Sequence, residues 1–119
     1  MKPNFIKTYP TIPLLKMKVW EEIKTFAQEE YQQLAIIKCF KRDFYDLISE
    51  ARGGITDNNT PLLLQSLHTL KGIAGTIGAT RLQFITKEAE GMTRIDSAFI
   101  DEIEQCGRVS IDALNNHCG

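Results

Sequence analysis

From Lys16 onward, apolar residues return at every third or fourth position, and no stretch of strand length alternates apolar with polar. That period lines up one stripe along a helix and leaves a sheet no buried face to build on. Met17, Trp20, Ile23 and Phe26/Ala27 open the pattern. It gives way around Gln28–Tyr31 to a longer stripe of Ile37, Phe40, Phe44, Leu47, Ile48 and Ala51. Gly53-Gly54 is expected to end that second helix, since glycine readily takes the left-handed conformation of a helix terminus. "ITDNNTP" reads as a loop, with Thr60 expected as an N-cap and Pro61 as the first helical residue. A third helix runs from Pro61 towards Ile77, with Leu63, Leu67, Leu70, Ala74 and Ile77 facing inward, and Gly78 stops it. Thr80 is the expected N-cap of a fourth helix carrying Leu82, Ile85, Ala89 and Met92. A break at Gly91–Asp96 precedes a fifth, whose seam is Ile100, Ile103, Gly107, Ile111 and Leu114.

Amphipathic helices on short connections pack against their sequence neighbours in antiparallel fashion. The expected fold is therefore all-α: an antiparallel four-helix bundle over residues 16–119, with a shorter N-terminal helix capping one end. Residues 1–15 carry Pro3, Pro10 and Pro13 and no clear period. They are expected to form an irregular lead-in that packs Phe5, Ile6 and Leu14 on the domain.

A chain of 119 residues with a net charge of −1 offers no basic field for nucleic acid. No apolar run approaches the roughly 20 residues that span a bilayer, and the first residues lack a signal-peptide layout. Cys39, Cys106 and Cys118 are far apart with no C-x-x-C, which suits isolated thiols in a reducing compartment. His117 beside Cys118 has too few neighbouring ligands for zinc. The expectation is a cytoplasmic location without membrane insertion, and no metal site in the chain.

"SLHTLKGIAGTIGATRL" (Ser66–Leu82) concentrates glycine next to a titratable ring. On a helical wheel the five apolar positions of the third helix fall opposite His68, which therefore points to solvent. Gln65, Gly72 and Gly75 share its side, with Lys71 at the edge. Each helical glycine costs about 1 kcal/mol relative to alanine. A lone surface histidine needs no explanation, but two glycines on the exposed side of its own helix do. An imidazole is a good nucleophile near neutral pH. Absent side chains at Gly72 and Gly75 would let a partner's acidic pocket reach the ring, and Lys71 would partly neutralise a phosphoryl group on it. Counting outward from the Gly78–Ala79 turn puts Glu90 level with His68 across a helical hairpin, where it could hold the Nδ1 proton and leave Nε2 free to attack. A solvated surface carboxylate is the competing view. Lys87, on the same stripe, is expected to pair with Glu90 or Glu88 rather than to assist phosphate.

"HTLKGIAGTIGATRL" resembles the motif of histidine-containing phosphotransfer (HPt) domains, with His68, Leu70, Lys71, Gly72, Gly78, Ala79 and Leu82 matching. The resemblance implies an antiparallel four-helix bundle that carries phosphoryl groups between response-regulator receiver domains, with His68 as the acceptor. It implies a monomeric carrier rather than an enzyme, with no cofactor of its own; the Mg²⁺ of the transfer belongs to the receiver. Glu at position 90, and "KGIAGTIG", look similar to the phosphotransfer domains of chemotaxis kinases, where a kinase domain phosphorylates in trans.

Two other functions compete. A histidine kinase dimerisation domain wants an acidic residue after the His and a Pro a few residues later, whereas Thr69 and Ile73 stand there. A non-catalytic helical interaction module would not need both His68 and Lys71. The preferred setting is the C-terminal module of a hybrid sensor histidine kinase.

Overall fold

The computed structural model describes residues 11–119; Phe5 and Ile6, expected to pack on the domain, lie outside that range. Its helices are α1 (Met17–Phe26), α2 (Glu30–Thr56), α3 (Thr60–Ile77), α4 (Thr80–Glu90) and α5 (Ser97–Asn115). No strand occurs among the described residues. α2 packs on α3, α3 on α4, α4 on α5, and α5 returns to α2. Residue partners give the directions. Glu50 meets Ser66 and Gly54 meets Leu63 across α2/α3. Gly75 meets Gln83 and Lys71 meets Glu90 across α3/α4, while Phe44 meets Gly107 and Arg52 meets Glu104 across α2/α5. Numbers rise along one helix as they fall along its neighbour, so these pairs are antiparallel. The inner surface holds Phe44, Leu67, Leu70, Leu82, Ile85, Ile100, Ile103 and Leu114, all fully buried. Each contributes about 1.5–3 kcal/mol of transfer free energy.

α1 lies across one end, as its short stripe suggested. Trp20 is fully buried and its indole N–H donates to the His117 carbonyl at 3.2 Å. The Lys16 amide donates to the Gly78 carbonyl at 2.8 Å, joining α1 to the α3/α4 turn. Gln33, buried at the α1/α2 corner, accepts from the Gly119 amide at 2.9 Å and donates to the Ala27 carbonyl at 2.9 Å. Leu14 is half-buried against the core.

Three helix boundaries differ from expectation. α2 runs through Gly53-Gly54 to Thr56, and the left-handed residue that follows is Asn58, at φ 53°. Gly54 serves close approach instead: a Cβ there would stand 2.9 Å from the Leu63 amide nitrogen and 3.1 Å from the Asn59 carbonyl. α3 is capped by Asn59, whose side chain accepts from the Leu62 amide at 3.1 Å, which places Thr60 inside the helix. α4 begins after Ala79 with no side-chain cap, and the Thr80 hydroxyl donates to the Gly78 carbonyl at 3.3 Å instead. Gly78 does end α3, at φ 80°, and the Ala79 amide closes a bond of 2.9 Å to the Ala74 carbonyl. Asp96 caps α5, accepting from the Ala98 and Phe99 amides at 3.0 and 3.2 Å.

The cysteines carry free thiols, and burial pushes that of Cys106 up to about 11. No described helix is long and apolar enough to cross a membrane.

Candidate functional site

α3 is anchored by Leu63, Leu67, Leu70 and Ala74, all buried. His68 consequently stands on the outer side with its side chain 71% exposed. The Gly78 turn folds α4 back beside α3 and brings Glu90 level with the ring. His68 Nδ1 lies 2.9 Å from Glu90 Oε1, and Lys71 Nζ donates to Glu90 Oε2 at 2.8 Å. One carboxylate thus holds both an imidazole and an ammonium.

Burial raises the affinity of the Glu90 carboxyl for its proton, but the hydrogen bonds from Lys71 and His68, and their charges, outweigh it and hold the group below its ordinary value of 4.5. An ionised carboxylate only accepts, so the contact requires the proton on Nδ1. In the neutral ring the lone pair is then on Nε2, the nitrogen turned away from Glu90. The sign of the linkage follows: Glu90 adds stability that is complete above its unfolded value of 4.5 and is lost as pH falls through its lower folded value. Glu90→Ala should be less stable than the wild-type chain by about 1 kcal/mol at pH 7. That gap should begin to narrow as the pH falls below 4.5, as read from paired urea melts.

The other expected residues divide. Gln65 is exposed, one turn before the ring. Gly72 is bare, with nothing within 4 Å of where a Cβ would stand. Gly75 is not bare, contrary to expectation: the side-chain amide of Gln83 occupies the space its Cβ would need, because α4 lies close alongside α3 there. Lys87 pairs with neither Glu90 nor Glu88 among the described residues; both oxygens of Glu90 are held by His68 and Lys71. Instead Lys71, Gln83 and Lys87 line an open cavity of about 320 Å³. The Lys71–Glu90 contact was missed in the sequence, which assigned Lys71 to phosphate alone; its signal is that both side chains border the groove between the two arms. His117 gives its backbone carbonyl to Trp20. Among the described residues no group of three or more His, Cys, Asp and Glu could hold a metal ion.

The arrangement presents one nucleophilic nitrogen, with its tautomer fixed from behind, on an open helix surface. A carboxylate stands ready to balance positive charge that builds on the ring. The family model of the Hpt domain matches residues 35–116, which takes in α3, α4 and this whole site. No curated relative and no solved structure matches the chain.

Proposed function

The chain belongs to the Hpt domain family, whose members carry phosphoryl groups on a histidine in phosphorelays, and from that premise we propose that His68 accepts phosphoryl from the aspartyl phosphate of a receiver domain and passes it to another. The observation that carries this reading is the exposed ring held through Nδ1 by Glu90 beside the open backbone of Gly72. The lone pair on Nε2 attacks phosphorus, the bond to the aspartyl oxygen breaks, and the carboxylate leaves with the electron pair. The ring then carries a proton on Nδ1 and the phosphoryl group on Nε2, and Glu90 compensates the resulting positive charge. Lys71, already at the site, supplies a cation near the phosphoryl oxygens. The Mg²⁺ of the transfer sits on the receiver, and this chain acts as a monomeric, non-enzymatic carrier.

Gly72 gives the direct test of docking. A side chain at this position meets nothing within 4 Å, so Gly72→Gln should fold normally. It would still stand in the partner's path, and transfer from a phosphorylated receiver should fall by about tenfold. Unchanged helicity by circular dichroism with an unchanged transfer rate would remove the docking explanation.

The Glu90 contact favours a second reading, phosphorylation in trans by a kinase domain of the chemotaxis type. Label arriving from ATP and such a kinase, but from no receiver, would select it. The preferred setting remains a module of a hybrid sensor kinase in the cytoplasm.

A further inference from the structure

At the end of the bundle away from α1, a cavity of about 380 Å³ lies between the α2/α3 turn and the α4/α5 connection. Ile55, Leu64, Met92 and Ile95 line it, and each is only half-buried. Leu64 stands one turn before His68 on the same side of α3. Glu90, whose carboxylate holds the ring, forms another part of the wall. The cavity thus borders the acceptor's own support.

Three charged side chains line this space, and two of them are already engaged. Glu90 spends one oxygen on His68 and the other on Lys71. Asp96 accepts from the Ala98 and Phe99 amides at the start of α5, which offset its charge. Arg94 makes no hydrogen bond or ion pair among the described residues. It is exposed, so its five N–H donors are met by water, and a carboxylate can replace that water in a bidentate pair. The unsatisfied charge of the cavity is therefore positive, and it stands over an apolar lining.

We propose that this cavity binds a small organic acid, whose carboxylate pairs with Arg94 while its apolar body covers Ile55, Leu64, Met92 and Ile95. A neutral molecule of the same shape gains the apolar burial but not the charged pair, and a cation meets the guanidinium head-on. The volume is near the lower end of small-molecule pockets, which suits one ring on a short arm. Because Glu90 is part of the wall, an occupant changes the surroundings of the carboxylate that holds His68. A small acid can in this way act on the acceptor without touching it. The inference does not rest on the phosphotransfer reading, since binding needs no receiver.

The test titrates the isotope-labelled chain with phenylacetate as the probe, and with phenylacetamide as its uncharged counterpart, while amide and imidazole NMR signals are followed. Phenylacetate should give saturable shifts at Ile55, Leu64, Thr93 and Ile95, with the His68 ring signals moving along the same curve. Phenylacetamide should bind about fivefold more weakly, having no charge to pair with the guanidinium. Arg94→Gln should bring phenylacetate down to the affinity of the amide. That side chain is exposed and has no partner among the described residues, so the variant should melt like the wild type. Arg108→Gln, on α5 and outside the cavity, should bind phenylacetate as the wild type does. Shifts that do not saturate, or that saturate on another face, overturn the proposal. So do equal affinities for the two probes, or an Arg94→Gln variant that binds like the wild type. Ring signals of His68 that stay still at saturation overturn the link to the acceptor. Labelling of His68 by a receiver stands or falls separately from every one of these results.

Discussion

In His68→Gln, no acid-labile, base-stable phosphoryl label should remain. A phosphorylated imidazole loses its phosphoryl group in acid because the protonated ring is a good leaving group, and it survives base because hydroxide finds a shielded phosphorus. Glutamine keeps a similar size and polarity but offers an amide nitrogen with no free lone pair. The side chain is 71% exposed and its one polar contact among the described residues is with Glu90, so the fold should survive intact. The expected result is loss of essentially all label with unchanged helicity. The chain's other histidine supplies the control: His117→Gln should label like the wild type, because its hydrogen bonds among the described residues are made by its backbone, the carbonyl accepting from Trp20 and the amide donating to the Leu114 carbonyl. Equal labelling of His68→Gln would end the assignment of the acceptor.

The second large effect concerns stability. Phe44 is fully buried, and its ring occupies the space that a Cβ on Gly107 would need. Alanine in place of helical glycine ordinarily stabilises by about 1 kcal/mol. At Gly107 the added methyl must displace a fully buried aromatic ring, and overpacking costs about 1–3 kcal/mol, occasionally more. Gly107→Ala should therefore destabilise the chain by about 1–2 kcal/mol. Gly53→Ala, with nothing within 4 Å of the new methyl, should instead gain up to about 1 kcal/mol. Chemical denaturation of both variants checks the pair, and equal shifts in the same direction would refute the packing argument.

These two glycines also show where the sequence is legible. Spacing of apolar residues places all five helices and most of the core, because a helix packed on its neighbours along one side buries one stripe and exposes the rest. Counting from the Gly78–Ala79 turn brings His68 and Glu90 level, since both arms rise by the same amount per residue. Glycine itself is ambiguous. At Gly78 it marks a left-handed terminus, whereas at Gly54 and Gly107 it admits Leu63 and Phe44, and no local pattern separates the two uses. Gly75 hides under Gln83 for the same reason: the residue that covers it comes from another helix. Asn59 and Thr60 are both good caps, and only backbone geometry chooses between them. Lys71 has a long, flexible stem, so its reach to Glu90 depends on how closely the two arms pack.

His68 and Glu90 stand only 22 positions apart along the chain, with Lys71 between them. One helical hairpin therefore carries all three groups, and their alignment can be established early in folding by contacts of short sequence separation. The seam between α2 and α5, where Phe44 meets Gly107, contributes none of the three groups. A single turn at Gly78 thus sets the mutual register of all three side chains.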